Sequence, residues 1–316
     1  MEDGLMVRQP AIRPIALWHM FFFILLASGC GTNPSQARVV ATTSLAADLV
    51  ASLLPPEVAV DSLMGPGVDP HTFEARSGSI RQLHLASLVV HHGLHLEGRL
   101  SELLEGLQKR SPEKVHSLAS PLLRNHSARL RRQGGEIDPH VWFSPPLWRA
   151  TVPDLSKALS TAFPEHAETI AKNEKIVTQS ISDLDLELRD TLSAIPKESR
   201  VLVTSHDAFG YWGAEYSFEV HPIQGISTAT EVAESSLREL ADLIVKRKIP
   251  AGFVESSVSP RTIEKLQQMI GGRHFQLGGE LFSDSLGPSG SATGTYAGML
   301  RHNAKIMVSA LGKAGP

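Results

Sequence analysis

The chain alternates short apolar, β-branched runs with helical patterns, and this rhythm restricts its fold more than any other feature of the sequence. The predicted strands cover residues 39–43, 58–64, 88–91 and 115–118, and then 200–204, 219–224, 252–255 and 274–277. The predicted helices cover residues 45–54, 79–86, 97–109, 235–248, 261–270 and 296–311. Strands that alternate with helices are typical of parallel sheets flanked by helices. The sequence therefore predicts an α/β fold with mostly parallel sheets in two lobes.

A stretch at 164–192 without internal proline or glycine separates the two sets of strands. Its apolar residues, among them Ile170, Ile176 and Ile181, recur at helical spacing between charged residues. A helix of this length would extend roughly 40 Å at about 1.5 Å per residue. One more surface helix of a single domain is the alternative that the pattern leaves open. The predicted organisation is a first lobe at 38–162, one long rigid linking helix at 163–195 and a second lobe at 196–316.

The amino terminus has the layout of an export signal. The apolar run at 15–28 is shorter than the roughly 20 residues that a membrane-spanning helix needs. Two arginines precede it and small residues lead to Cys30, so the segment resembles a bacterial lipoprotein signal. The resemblance implies removal of residues 1–29, a lipid on Cys30, a tether at 30–37 and an extracytoplasmic, membrane-anchored protein. A buried free cysteine after an apolar start is the alternative.

Charge and cysteine content exclude several classes of protein. Lys and Arg total 30 against 33 Asp and Glu, so the chain lacks the basic character expected of a nucleic-acid-binding protein. Its single cysteine excludes an internal disulfide framework and any zinc site built from several thiolates. Histidine is plentiful, with 14 residues. Metal chemistry in this chain therefore depends on imidazole and carboxylate groups.

Four polar segments follow or lie near predicted strand ends, where α/β proteins commonly bind ligands. They cover residues 65–74, 138–142, 204–211 and 278–287. The first two contain Asp-Pro-His triplets that end at His71 and His140, and the others contain His206 and Asp284. Taken singly, each of these residues is more typical of a turn or a capped loop than of a metal site. Together, three imidazoles and one carboxylate suit Zn²⁺ and, with a chelating carboxylate, Mn²⁺ or Fe²⁺.

These segments resemble the metal-binding lipoproteins of bacterial ABC importers for zinc and manganese, the cluster A-I solute-binding proteins. The matching sequences are LMGPGVDPH at 63–71, GLHLE at 93–97, DPHVW at 138–142, TSHDAFGY at 204–211, QGIST at 224–228, FVESS at 253–257 and GGELFSD at 278–284. The resemblance implies a monomer of two lobes that binds one metal ion between them and works with the membrane subunits of an ABC permease. The family's ligands correspond to His71, His140, His206 and Asp284, two from each lobe.

The resemblance leaves two candidates for the bound metal, zinc and manganese. A glutamate in place of His206 is typical of manganese-dedicated members, whereas three histidines and one aspartate occur with either metal. Zinc binds imidazole more tightly and accepts four ligands, while manganese would need both oxygens of Asp284. A dense His/Asp-rich loop of one zinc subgroup is missing, since only His116 and His126 lie in that region. The interpretation favours Zn²⁺, with Mn²⁺ as the alternative and with binding weakened below about pH 6.

Neighbouring residues are candidates for supporting roles. Glu255 ends a predicted strand and either accepts the free N–H of a ligating imidazole or caps the next turn. Asp69 and Asp138 belong to the two Asp-Pro-His triplets. Each either accepts the free N–H of a ligating imidazole or only braces its loop. The motif HHGLH contains three histidines: His91, His92 and His95. Consecutive strand residues face opposite ways, so at most two of these three histidines approach the metal.

A binding protein and a zinc hydrolase are the competing functions. The sequence contains no His-Glu-x-x-His helix, Gly-x-Ser-x-Gly elbow or phosphate-binding Gly-Lys-Ser/Thr loop. Ser205, His206 and Asp207 have the residue types of a catalytic triad, but a triad assembles from separated positions. The sequence therefore predicts a metal receptor and no enzyme, with a zinc hydrolase or a surface adhesin on the same scaffold as the alternatives.

Overall fold

A computed structural model describes residues 38–271 and 274–312, so the predicted signal at 1–29, Cys30 and the tether at 30–37 lie outside the described residues. The first half contains β1 (Arg38–Ala41), α1 (Ser44–Leu53), β2 (Ala59–Ser62), α2 (Ser77–Leu85), β3 (Leu88–His91), α3 (Ser101–Arg110), β4 (Val115–Ser117), α4 (Ser120–Asn125), β5 (Arg132–Gln133), β6 (Glu136–Ile137) and α5 (Pro145–Ala162). The remainder contains α6 (Ala167–Leu192), β7 (Val201–His206), α7 (Gly210–Tyr216), β8 (Glu219–Gln224), α8 (Glu234–Arg247), β9 (Ala251–Glu255), α9 (Arg261–Ile270), β10 (Gln276–Leu281) and α10 (Tyr296–Leu311).

Parallel pairing dominates both halves of the fold. The first half forms a four-stranded parallel sheet in the order β2-β1-β3-β4. In the second half β7 pairs with β8 and β9 pairs with β10, again in parallel, and β7 lies beside β9. The short hairpin of β5 and β6 is antiparallel. The prediction of an α/β fold with mostly parallel sheets is confirmed.

The long helix α6 has 26 residues and follows a 3₁₀ turn at Pro164–His166, as the proline-free and glycine-free stretch predicts. It packs against α5, α10 and α1, which come from both sides of it in the sequence. Ile170 and Ile181 are buried on this face, but Ile176 is 54% exposed, so it does not belong to the buried stripe that its spacing suggests. The helix therefore anchors elements of both halves to one apolar core.

Helix α5 is absent from the sequence-based prediction, although it is 18 residues long. Its interior residue Pro153 lacks a backbone N–H and normally argues against a helix. Two features compensate: Ser144 caps the first turn by accepting from the Leu147 N–H, and Pro145 occupies the first position, where no N–H is needed. Burial of an apolar face that includes Trp148 then holds the helix against α6.

Strand β10 is longer than its sequence predicts. It continues through Gly278 and Gly279, which the sequence assigned to a polar segment after the strand. The register shifts between Leu277 and Glu280, and Gly279 has a φ of 129°, which favours glycine. The Leu281 carbonyl at the end of β10 accepts a hydrogen bond from the Ser256 N–H directly after β9, at 3.0 Å. Within residues 38–271 and 274–312, no helix has the length and apolar character needed to cross a membrane.

Candidate metal centre

Four side chains from distant parts of the chain meet at one point. His71 lies in the loop after β2, and His140 directly precedes a 3₁₀ helix at Val141–Phe143. His206 is the last residue of β7, and Asp284 follows β10 in the loop that leaves the sheet. A ligand atom of each residue lies within 4.8 Å of those of the others, and all four residues are buried. We call this group the His3Asp cluster.

Four distances within the His3Asp cluster are close to the edge length of a metal-coordination tetrahedron. Nε2 of His140 lies 3.3 Å from Nε2 of His71 and 3.3 Å from Nε2 of His206. The Asp284 carboxylate completes the group, with Oδ1 at 3.4 Å from His140 Nε2 and Oδ2 at 3.2 Å from His206 Nε2. Bonds of about 2.0 to 2.1 Å from a tetrahedral zinc ion would place its ligands about 3.3 to 3.4 Å apart. The four side chains are thus arranged to surround one ion.

The two Asp-Pro-His triplets form the same local turn. In each, the aspartate Oδ1 accepts a hydrogen bond at 2.9 Å from the backbone N–H of the histidine two residues later. Asp138 also contacts Nδ1 of His140 at 2.8 Å, which leaves Nε2 facing the cluster. Asp69 instead accepts from the hydroxyls of Thr72 and Thr228, and among the described residues it makes no hydrogen bond to a cluster imidazole. Asp138 therefore orients an imidazole, whereas Asp69 braces a loop.

Glu255 supports His206 from the neighbouring strand. Its Oε1 accepts from the His206 backbone N–H at 2.9 Å, and its Oε2 lies 2.6 Å from His206 Nδ1. This contact exists because β7 and β9 end side by side. The carboxylate holds the imidazole so that Nε2 points into the His3Asp cluster, an arrangement common among metal-binding histidines.

Glycine is required behind His71. Gly98 has a φ of 45°, and a side chain there would collide with the His71 carbonyl oxygen. The same turn contains Glu97, which is buried and accepts hydrogen bonds from the Thr42 hydroxyl at 2.8 Å and the His92 N–H at 2.5 Å. Glu97 was not predicted as a site residue, although its place in the GLHLE segment was a signal that could have identified it. It anchors the loop on which the His71 backbone rests.

The electrostatics of the cluster depend on its buried carboxylates. Burial alone would lower the pKa of His140, but Asp138 and Asp284 outweigh this effect and raise that pKa to about 9. Burial likewise opposes protonation of His206, yet Glu255 and Asp284 raise its pKa well above the usual value. Burial would raise the pKa of Asp284, but His206 and His140 hold it well below the usual range. Burial lowers the pKa of His71 to about 3. A cation that binds here must therefore displace protons from His140 and His206.

The HHGLH histidines do not join the His3Asp cluster. His92 lies 2.9 Å from the Pro139 carbonyl through Nε2 and packs against Trp142 and Trp148. Nδ1 of His91 lies 4.0 Å from Oε2 of Glu97. His95 is exposed and lines a cavity of about 480 Å³ that also reaches His71. Of the four cluster residues, His71 is the one nearest to solvent.

A buried set of three imidazoles and one carboxylate, held by one strand end and three loops of an α/β fold, defines a protein built to bind a metal ion. The family model described as "Zinc-uptake complex component A periplasmic" matches residues 39–310. The chain belongs to this family of substrate-binding components of metal transporters. Its members work outside the cytoplasm as metal receptors of ABC importers, and the predicted receptor function and permease partner are confirmed at this level.

Individual relatives agree with this assignment. The "Manganese-binding lipoprotein MntA" of Bacillus subtilis (strain 168) is 39% identical over 300 residues, which cover 92% of this chain and 97% of MntA. The "Zinc-binding protein TroA" of Treponema pallidum (strain Nichols) is 39% identical over 277 residues, which cover 87% of this chain and 89% of TroA. A solved structure of TroA aligns with a TM-score of 0.83 at 38% identity, over 87% of this chain and 99% of that one. This likeness confirms the predicted fold.

Proposed function

We propose that the chain captures one Zn²⁺ ion with His71, His140, His206 and Asp284 and delivers it to the permease of an ABC importer. The observation that carries this proposal is the 3.3 Å spacing between Nε2 of His140 and Nε2 of its two imidazole neighbours. That spacing suits a tetrahedral ion with bonds of about 2.0 to 2.1 Å. Orienting contacts from Asp138 and Glu255 strengthen the same assignment.

Zinc is preferred over manganese because of the donor set. Three imidazoles and one carboxylate complete zinc's four-coordinate shell, and zinc binds such ligands more tightly than manganese does. Manganese favours more oxygen donors, and the cluster supplies them only if both oxygens of Asp284 bind. Relatives named for each metal occur at 39% identity, so the family alone does not choose between them. Mn²⁺ is therefore the alternative cargo.

A receptor fits the cluster better than a hydrolase does. Four protein ligands would fill a tetrahedral shell, and a hydrolytic zinc site needs an open position for activated water. Ser205, His206 and Asp207 do not form a triad, because His206 Nδ1 faces Glu255 and Nε2 faces the His3Asp cluster. The proposed role is binding and release of the ion without chemical conversion.

The proposal extends to the organisation of the chain. Helix α6 supports a linking segment at 163–195 between lobes at 38–162 and 196–316. A lipid on Cys30 would hold the receptor at the outer face of the membrane, beside its permease. We propose that the receptor acts as a monomer, since the His3Asp cluster takes all its residues from one chain.

Metal titration tests the proposed function directly. Chelator-stripped protein should bind about one Zn²⁺ per chain in calorimetry. Because the ion binds the folded state, zinc at about 100 times its Kd should raise the melting temperature by about 5 to 10 °C. Mg²⁺, which prefers oxygen ligands, is the control and should leave it unchanged. Absence of a shift with both Zn²⁺ and Mn²⁺ would contradict the proposal.

One contact between loops should slow release of the ion. The Thr228 hydroxyl donates to Asp69 Oδ2 at 2.5 Å, and Asp69 in turn accepts from the backbone N–H of His71. The substitution Thr228→Val keeps the shape but removes this hydrogen bond, and is expected to speed zinc release about fivefold. Thr230→Val is the matched control, because that hydroxyl donates only to the Ser227 carbonyl in the same loop. Stopped-flow transfer to a chelator measures both rates, and equal rates in the two variants would refute this role.

A further inference from the structure

The two oxygens of the Asp284 carboxylate have different surroundings. Oδ2 accepts a hydrogen bond from the Ser257 hydroxyl at 3.2 Å and lies 3.2 Å from His206 Nε2. Oδ1 lies 3.4 Å from His140 Nε2 and, within the described part of the chain, is a buried oxygen without a hydrogen-bond partner. Both oxygens therefore face an imidazole of the cluster, and within the described residues Oδ2 also accepts a hydrogen bond from a hydroxyl.

The Ser257 hydroxyl is held in place by its own neighbours. Its Oγ lies 2.9 Å from Oγ of Ser283, whose backbone carbonyl accepts from the Trp142 indole at 2.9 Å. A carboxylate is a stronger acceptor than a hydroxyl, so Ser257 donates to Asp284 and accepts from Ser283. Such a chain of hydroxyls strengthens each hydrogen bond in it. The Ser257 hydroxyl is thus held between Asp284 and Ser283, and the backbone of Ser283 is held in turn by the buried Trp142.

The number of oxygens that Asp284 contributes decides which metal the cluster suits. One oxygen completes a four-coordinate shell with three imidazoles, as zinc prefers. Two oxygens raise the coordination number toward that favoured by manganese. A hydrogen bond to Oδ2 withdraws electron density from that oxygen and restrains the carboxylate from turning both oxygens equally onto the ion.

We propose that Ser257 biases metal selectivity: its hydrogen bond weakens Oδ2 as a metal donor, so that zinc, which needs only one carboxylate oxygen, is favoured over manganese. This inference rests on the proposed function, because it assumes that the His3Asp cluster holds the transported ion. Ser257 is a positioning residue: its hydroxyl acts on the ion through Asp284.

Paired substitutions at neighbouring serines test the inference. Ser257→Ala should lower the ratio of the manganese Kd to the zinc Kd about tenfold, the effect of one hydrogen bond to a charged group. Ser257→Thr, which keeps the hydroxyl, should restore the ratio. Ser256→Ala is the matched control, because its buried hydroxyl has no hydrogen-bond partner among the described residues, and it should leave the ratio unchanged. Competition titrations with Zn²⁺ and Mn²⁺ alone measure each Kd.

Cobalt spectroscopy provides a readout that a purely structural role would not alter. Four-coordinate Co²⁺ absorbs visible light much more strongly than six-coordinate Co²⁺. The intensity of the absorption spectrum therefore reports the coordination number of the bound ion. Wild-type protein should give the intense spectrum and Ser257→Ala a weaker one. A weak spectrum from the wild type would overturn the inference even if Ser257→Ala fails to fold.

The outcomes separate this inference from the proposed function. If wild-type protein binds neither Zn²⁺ nor Mn²⁺, the proposed function fails and the inference fails with it. If the wild type binds zinc but Ser257→Ala leaves the ratio of the two Kd values unchanged, only the role of Ser257 is refuted. An equal change in Ser256→Ala would refute it as well.

Discussion

Replacement of His140 by alanine should weaken zinc binding by more than about a hundredfold, which would exceed the usual loss from removing a residue that only orients a ligand. His140 is central to the cluster, because its Nε2 lies within 3.4 Å of Nε2 of both other imidazoles and of Asp284 Oδ1. It is also fully buried. Calorimetry or competition with a chelating dye measures the loss.

His126→Ala is the control for this experiment. His126 directly follows α4, outside the His3Asp cluster, and lies in the region where one zinc subgroup has its histidine-rich loop. Its replacement should leave affinity within about twofold of the wild type. Because His140→Ala also strips Asp138 of its imidazole partner, Asp284→Asn serves as a second test that preserves side-chain shape. Equal affinities for His140→Ala and His126→Ala, with both proteins folded, would refute the ligand assignment.

Zinc affinity should increase steeply with pH between about 6.5 and 9. The carboxylates raise the pKa of His140 to about 9 and that of His206 well above its usual value, so zinc must release protons from both. Each displaced proton makes apparent affinity rise about tenfold per pH unit in this window. His71 adds nothing here, because burial lowers its pKa to about 3. Calorimetry in buffers of different ionisation enthalpy counts the released protons.

The stability of metal-free protein should change in the opposite direction. A histidine whose pKa is higher in the folded state stabilises the fold fully below its unfolded pKa, about 6.5, and loses that contribution as pH rises through the folded value. For His140 that loss extends to about pH 9. The melting temperature with a chelator should therefore fall between pH 6.5 and 9, while the gain on adding zinc grows. A metal-free protein that becomes more stable over this range would contradict the assigned charges.

This window differs from the one that residue types alone suggest. Imidazoles with ordinary pKa values predict weakened binding only below about pH 6. The shift arises from Asp138, Glu255 and Asp284, which contact the imidazoles of His140 and His206 in the folded chain. Asp138 is two residues from His140, but Glu255 and Asp284 are far from His206 in sequence. Their effect on its charge therefore depends on how the strands are packed.

Local signals in the sequence predicted many of the regular elements. The bounds of β3, β8, α9 and α10 agree with the structure, because periodicity and flanking breakers act over a few residues. The prediction omitted α5, since Pro153 argues against a helix and only the packing of its apolar face offsets that cost. It ended β10 too early, because Gly278 and Gly279 usually mark a loop.

The sequence by itself determined which residues are candidates for the metal site: two Asp-Pro-His triplets, a histidine at a strand end and an aspartate after the last strand. Turn chemistry is local, so both triplets form the turn that their residues predict. Only the tertiary structure decided that the four side chains lie within one coordination shell, and that Ser257 meets Asp284 while the HHGLH histidines stay outside. Those distances are set by how separate strands and loops pack together, and no local pattern specifies them.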